Sequence, residues 1–439
     1  MQYSDLRVAV AFIAGALWLA ACSGGSTPPP LTPVAQAVHS KQQSATKTAC
    51  AAQPLPDFKP SLARERPAAS TCGIQVTHES VTTPQRAASP EHFAGSSGVT
   101  TFDVPGAATA AECEAFELFF DCGTQIGALN NGGSSTGFYL NKMLVAVGFV
   151  RNPDGTFRTF QVPGADFAHA GSTPTVLTGD GFVGGYYLDA NFVAHGFMRS
   201  PFGSTVRFSV PYASSIPNAP FSQGNDLASM NAQLNAAGHW YDAKGNPHAY
   251  IRFRDGTFTQ VIPPDAMTAG VCETDCYNNA GALVGNYVNS SNDFWGFIRN
   301  ANGSITVIPE PGAGGTVFGI SDGGTVVGSF VDAKNVTWAY LRSASGKFKI
   351  FQEPNASATP GKGTEALQIS GNGAVAGIYV DAHGDEYAFY RSPSGHFDEF
   401  FPHGTVATFP GAVNDARQVA GVWYDAAGQS HGFIWTRQF

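Results

Sequence analysis

Charge is what this sequence has least of. Asp, Glu, Lys and Arg make up 13% of its 439 residues, about half the share usual in globular chains. The net charge is −9 and no basic run occurs, which excludes the electrostatic footprint of a nucleic-acid binder. No apolar run reaches the roughly 20 residues that a membrane-spanning helix needs. The longest, residues 8–21, stops at fourteen. Also missing are a Gly-x-Ser-x-Gly elbow, a Walker loop and a His-Glu-x-x-His helix. The sequence therefore names no catalytic residue, no metal ligand set and no cofactor.

What the sequence has is a repeat. Gly137, Gly185, Gly238, Gly285, Gly328, Gly377 and Gly421 each open the pattern Gly-x-aromatic-x-Asp/Asn. The aromatics are Tyr139, Tyr187, Trp240, Tyr287, Phe330, Tyr379 and Trp423. The polar residues are Asn141, Asp189, Asp242, Asn289, Asp332, Asp381 and Asp425. Seven residues beyond each comes Gly or Ala followed by Phe or Tyr, from Gly148-Phe149 to Gly432-Phe433. Copies lie 43 to 53 residues apart, a spacing in the range of propeller blades.

The invariant gap predicts a tight β-hairpin between a motif strand and a return strand. Asp at the first turn position can accept from backbone N–H groups, and Gly at the fourth can take positive φ, as in Asp242-Ala-Lys-Gly245. Apolar residues on both faces, for instance Ile378 and Val380 opposite Gly377 and Tyr379, imply strands covered on both sides. Two further turns complete each unit. One follows the return strand (Asn152-Pro-Asp-Gly155) and one precedes the motif (Asn130-Asn-Gly-Gly133). Three turns give four strands, the content of one blade.

The chain opens its repeats with Val99-Thr-Thr-Phe-Asp-Val-Pro105, which matches the strand that elsewhere follows a return strand. It ends with a return strand, His431–Trp435, that has no follower. The last strand can thus complete the first blade and remove both sheet edges. The expected fold is an all-β, seven-bladed β-propeller over residues 93–439, closed by the C-terminal strand pairing with the first blade.

Residues 1–21 read as a signal peptide, with Arg7 before the apolar run. Leu19-Ala20-Ala21-Cys22 resembles a bacterial lipobox, which implies cleavage before Cys22 and a lipid on its sulfur. Ser23 resembles outer-membrane sorting. Residues 22–92, rich in Pro, Ser, Thr, Ala and Gln, read as a flexible tether. The expected location is the bacterial outer membrane or cell surface, with the membrane as a partner through the lipid.

Six cysteines remain, and local pairing Cys50–Cys72, Cys113–Cys122 and Cys272–Cys276 is the simplest arrangement in an oxidising compartment. A zinc site from Cys113, Cys122, Cys272 and Cys276 is the competing reading, against which their spacings speak. Arg151, Arg199, Arg252, Arg299, Arg342 and Arg391 recur three residues after the Gly/Ala position. They offer either a ring of guanidinium groups to an acidic ligand or an internal stack on a motif aromatic or pair with a motif Asp, and the internal role is favoured. His195, His248 and His431 stand where other units have Val, Trp or Tyr, which points to a packing site for planar side chains.

Variation concentrates between the second and third strands of each unit, counted from the return strand, at 106–126, 164–176, 211–231, 263–276, 309–319, 353–368 and 401–412, which in a propeller share one face. Loops on a rigid scaffold carry binding residues. The segment 106–126 is the candidate ligand-face loop, with Glu112, Glu114 and Glu117 among Phe116, Phe119 and Phe120. Acidic and aromatic groups together suit a carbohydrate or a cationic peptide.

His195-Gly-Phe197, Tyr387-Ala-Phe389 and His431-Gly-Phe433, set within Gly-x-Tyr-x-Asp units, resemble the HAF-repeat proteins of bacteria. The resemblance covers residues 93–439 and implies an exported, propeller-like protein with no reaction attached. The leading expectation is a non-enzymatic binding or scaffold module with a protein or glycan ligand. The alternative is an extracellular glycan-active hydrolase or lyase, which needs two carboxylates about 5–10 Å apart.

Overall fold

The computed structural model describes residues 76–78, 96–114, 122–168, 170–217, 219, 222–272, 275–309 and 311–438. The signal peptide, Cys22, Cys50, Cys72, Phe116, Glu117, Phe119 and Phe120 lie outside them. Within them the chain is all-β apart from the short helix Ala110–Glu114. No helix among the described residues is long and apolar enough to cross a membrane.

Each repeat unit forms an antiparallel meander of four strands. In unit one these are Thr124–Leu129, the motif strand Ser135–Leu140, the return strand Ala146–Arg151 and the closing strand Phe157–Phe160. Units two, three and four repeat that order over 172–208, 229–261 and 266–308. Units five and six, 313–351 and 363–400, belong to one nine-stranded sheet, because a single parallel pair, Thr337 with Gly363, bridges them. Successive meanders packed face to face, with tight turns inside a unit and longer connections between units, make a β-propeller scaffold.

In the sheet of unit seven, the strand that opens the repeats meets the C-terminal strand, as the sequence pattern implied. Val99–Phe102 pairs with the return strand Ser430–Thr436, Val99 opposite Trp435 and Phe102 opposite Gly432. It thereby becomes the closing strand of the last sheet, beside Ala407–Val413 and Gln418–Tyr424. Thr124–Leu129 and Ser135–Leu140, which follow Val99–Phe102 in the chain, lie in the next sheet. Tight turns hold a meander together, so the unit boundary falls at the long connection 103–123.

Both sheet faces are covered, as the pattern implied. Tyr379, Tyr387 and Phe389 of unit six pack with Val327, Ala339 and Phe351 of unit five. From the opposite face of the same strands, Ala376, Ala388 and Tyr390 meet Val419, Phe433 and Trp435 of unit seven. Each large side chain so buried contributes roughly 1.5–3 kcal/mol. Unit seven packs on unit one in turn, Ala420, Val422 and Ile434 against Ile126, Tyr139 and Phe149.

The opening glycine of the motif has a packing reason. The strand before it bulges, with register shifts at Ile126/Ala128, Pro174/Val176 and Ala366/Gln368. A carbonyl of that strand then presses on the glycine. A Cβ on Gly137, Gly285 or Gly377 would lie far inside van der Waals contact of Gln125, Gly270 or Glu365 oxygen. Any side chain there forces the two strands apart.

One finding lies outside the repeats. Val76–His78, within the segment read as tether, pairs in parallel with Phe348–Ile350 and adds a strand to the outer edge of unit five.

Candidate functional site

The motif Asp is the busiest residue of each unit. Oδ1 of Asp242 accepts from the backbone N–H of Lys244 at 2.8 Å and of Asn246 at 3.0 Å, which fixes the turn as the sequence suggested. Its Oδ2 has a second role that sequence reasoning missed. It lies 3.5 Å from Nε2 of His248, whose ring is stacked on Trp240 with centroids 4.3 Å apart. His195 on Tyr187 beside Asp189, and His431 on Trp423 beside Asp425, repeat this. In unit five Trp338 donates its indole N–H to Asp332 Oδ2 at 3.0 Å. Burial pushes the Asp242 carboxyl up, but hydrogen bonds from Asn246, Lys244 and His248 outweigh it and hold the group at about 2. The histidines are thus lids on the motif aromatics.

The arginines also turn inward, onto a different partner from the one expected. Arg151 covers Phe102 with its guanidinium 4.5 Å from the ring centroid, Arg199 covers Phe160 at 4.7 Å, and Arg252 covers Phe208 at 5.0 Å. Each of these phenylalanines ends the closing strand of the preceding sheet, so the arginine rivets neighbours together rather than touching a motif aromatic. Arg391 is 1% exposed and covers both Phe351 and Phe397. Arg151, Arg342 and Arg391 are buried and present nothing to an acidic ligand.

Two disulfides form as expected, Cys113–Cys122 and Cys272–Cys276. The first closes the loop that carries Glu112. That carboxylate accepts from the Thr109 backbone N–H at 2.8 Å and meets Lys142 at 3.2 Å; the Thr109 bond, then Lys142, hold its pKa down. Glu114 ends the same short helix. The second disulfide is not in an inter-unit loop. Ala266–Val271 is the strand before the motif of unit four, and Cys272 and Cys276 follow it, at the opposite end of the sheet.

Asp275, beside that disulfide, reaches a polar centre. The turns preceding the motifs are tied from unit to unit by side-chain amides. Asn414 donates to the carbonyl of Asn130, Asn130 to Thr178, Asn231 to Asn278, and Asn278 to Ser321. Asp322 accepts from Asn279, and Asp415 from Asn131 and Asn372. Oδ2 atoms of Asp322 and Asp415 would lie 3.0 and 3.1 Å from a Cβ on Gly371, so both carboxylates converge there. Asp275 joins them, its carbonyl accepting from Ile320 N–H at 3.0 Å. Solvent reaches its side chain, yet protein encloses it. That enclosure, followed by the charges of Asp415 and Asp322, pushes its carboxyl up to about 7.

The loop-bearing end has another character. Motif-to-return turns and inter-unit connections lie together there because strands alternate in direction. Five of the exposed bulky apolar side chains stand at this end: Met143, Phe167, Ile216, Ile262 and Met267. The sequence places the connections holding Phe167, Ile216, Ile262 and Met267 on this face or beside it, but it singles out individual residues only in 106–126. The signal for the others was an isolated large apolar residue inside a Pro- and Asp-rich connection. Asp381, His383 and Asp385 could bring three ligand atoms within 4.8 Å of one another, but Asp381 Oδ1 already accepts from three turn amides.

No family model and no curated protein matches this chain. Among solved structures, a streptogramin B lyase is 13% identical, with 76% of this chain and 96% of that one covered and a TM-score of 0.46. The β-propeller domain of the trilobed protease from Pyrococcus furiosus is 10% identical, covering 71% and 95%, at a TM-score of 0.47. A puromycin hydrolase is 11% identical, at 75% and 55%, with a TM-score of 0.47. No residue role passes to this chain from likenesses so distant, and its site stands on its own geometry.

Proposed function

We propose that the sheets are the blades of a closed seven-bladed propeller, lipid-anchored at Cys22 to the bacterial outer membrane or cell surface. It acts there as a non-enzymatic binding or scaffold module for a protein or glycan, through its loop-bearing end. The observation that carries this reading is the gathering of Met143, Phe167, Ile216, Ile262 and Met267 at that end, where a monomeric surface has reason to stay polar. The pairing of Val99–Phe102 with Ser430–Thr436 supports closure. The two disulfides support export. The full chain with Cys22→Ser, applied to glycan and peptide arrays, is expected to retain a ligand. Binding should fall when Met143, Ile216 and Ile262 are replaced by Ser. Silence on every array, or binding indifferent to those changes, overturns the reading. The same Cys22→Ser change is expected to move the protein out of the membrane fraction, and continued membrane association overturns the anchor.

One observation favours the alternative glycan hydrolase or lyase. Asp275, with its carboxyl near 7, stands with Asp322 and Asp415, and a carboxyl raised by its surroundings is what an acid–base cleavage uses as its proton donor. Loss of glycan cleavage in Asp275→Asn would support it; absence of cleavage in the parent chain removes it.

A further inference from the structure

Between units one and two, at the end away from the loops, lies a cleft of about 130 Å³ lined by Arg158, Arg199, Ser134, Asn152, Phe160 and Val183. We infer that it binds a compact tetrahedral oxyanion, a phosphate or sulfate group, between two guanidinium groups. The site lies opposite the loop-bearing end and stands apart from the function proposed there.

Two sheets aim the arginines at each other. On the closing strand of unit one, Arg158 stands opposite Val150 in the ladder and two residues before Phe160, so all three share a sheet face. Val150 and Phe160 pack with Val183 and Phe197 of unit two, and Arg158 therefore faces that unit. Arg199 comes from unit two and lays its guanidinium over the Phe160 ring at 4.7 Å. Burial, and after it the charge of Arg158, lower the pKa of the Arg199 guanidinium, so each cation feels the other.

Neither cation is neutralised by the protein. Arg151, Arg252, Arg299, Arg342 and Arg391 each donate to the carbonyl of the next residue at 3.2–3.4 Å. Arg199 does not, and among the described residues neither it nor Arg158 has a hydrogen bond or salt bridge. Asp154, in the flanking turn, is taken up by Thr156.

The other joints show how the place of Arg158 is otherwise filled. Units two, three, four and seven have Val206, Thr259, Thr306 and Thr100 there. Unit six has Asp398, which holds Arg437 Nε at 2.7 Å across the joint to unit seven. Unit five has Lys349, but the arginine of the next unit, Arg391, is 1% exposed between two phenylalanines. Two cations set together with no acid between them repel each other, and a bound anion removes that cost.

Size and donor geometry choose the ligand. Pockets for drug-sized molecules run about 300–1,000 Å³, so this cleft takes one anionic group rather than a whole molecule. A single guanidinium fork occupies both oxygens of a carboxylate. A tetrahedral oxyanion keeps oxygens for the second fork and for Ser134, whose hydroxyl has no partner among the described residues.

The test titrates sodium phosphate into the full Cys22→Ser chain at constant ionic strength, read by calorimetry, with glucose 6-phosphate and acetate in parallel. Saturable phosphate binding is expected, with acetate weaker by about tenfold or more. Arg158→Gln, at an exposed position that leaves folding intact, should weaken phosphate by about tenfold or more, the worth of one charged hydrogen bond. Lys244→Gln removes the same charge at a remote turn and should change nothing. Phosphate should raise the melting temperature of the parent and leave that of Arg158→Gln where it was. Glucose 6-phosphate binding as well as phosphate would assign the group to a phosphorylated sugar, and its exclusion would assign the free anion. Absence of saturable phosphate binding, acetate binding as tightly, or equal losses in Arg158→Gln and Lys244→Gln overturns the inference.

Discussion

Nδ1 of His431 lies 2.9 Å from Oδ1 of Asp103, a contact between residues 328 apart in the chain. Nε2 of the same ring faces Asp425 at 3.5 Å. Burial lowers the imidazole pKa, but the two carboxylates, Asp103 first, overcome it and the net shift is upward. A folded pKa above the unfolded value of 6.5 means stability is fully present below pH 6.5 and is lost as pH rises through the folded value. His431→Gln is expected to cost about 1 kcal/mol at pH 5.5 and less at pH 8.5, read by urea unfolding at the two pH values. Equal losses at both would remove the ionic contribution.

Glu386 carries the opposite burden. Its Oε1 is buried without a partner. Burial, then the neighbouring Glu365, pushes its carboxyl from 4.5 up to about 8. Over that window the folded chain keeps a proton that the unfolded chain has released, so stability declines as pH rises. Glu386→Gln is expected to match the parent near pH 4.5 and to exceed it by roughly 1–3 kcal/mol at pH 8. Denaturant titration at both pH values checks this.

Arg391 is the most enclosed of the recurring arginines, between Phe351 of unit five and Phe397 of its own unit. Lysine keeps the charge but not the flat face. Arg391→Lys is expected to lower unfolding free energy by about 2 kcal/mol, with a smaller loss for Arg199→Lys at its less enclosed site. Comparable small losses at both positions would show that stacking contributes little.

Phe192 occupies the turn position held by Gly245, Gly384 and Gly428, and it does so at φ 58°. The left-handed region costs a side-chain-bearing residue about 1–2 kcal/mol. Phe192→Gly should therefore raise stability by up to about 1 kcal/mol, after the entropy of the added glycine is deducted. A lower melting temperature in the variant would mean the Phe192 side chain outweighs the strain.

The hairpin could be read because a seven-residue gap that never varies has few physical causes. The second task of the motif Asp was also written in the chain. His195, His248, Trp338 and His431 each stand six residues beyond Asp189, Asp242, Asp332 and Asp425. A donor at fixed distance from an acid, across a two-strand turn, faces it. The arginine stacks were not readable in this way. Arg151 and Phe102 belong to sheets that meet only through packing, and no local spacing reports that. The Cys272–Cys276 disulfide was misplaced for a similar reason. Ala266–Val271, a stretch of small residues with little β-branching, looks like part of the loop before it. At the loop-bearing end, Glu112 was named for its charge, and its neighbours Thr109 and Lys142 consume that charge.

The amide relay across the pre-motif turns bears on how such a molecule would come apart. In the proposed circle the head-to-tail joint is among the best tied, by Asn414 on Asn130 and by Asp415 on Asn131. Among the described residues no such bond links the Thr178 turn to the Asn231 turn. Fraying would then start at an interior joint, between units two and three, and the two chain ends would be among the last pieces to let go.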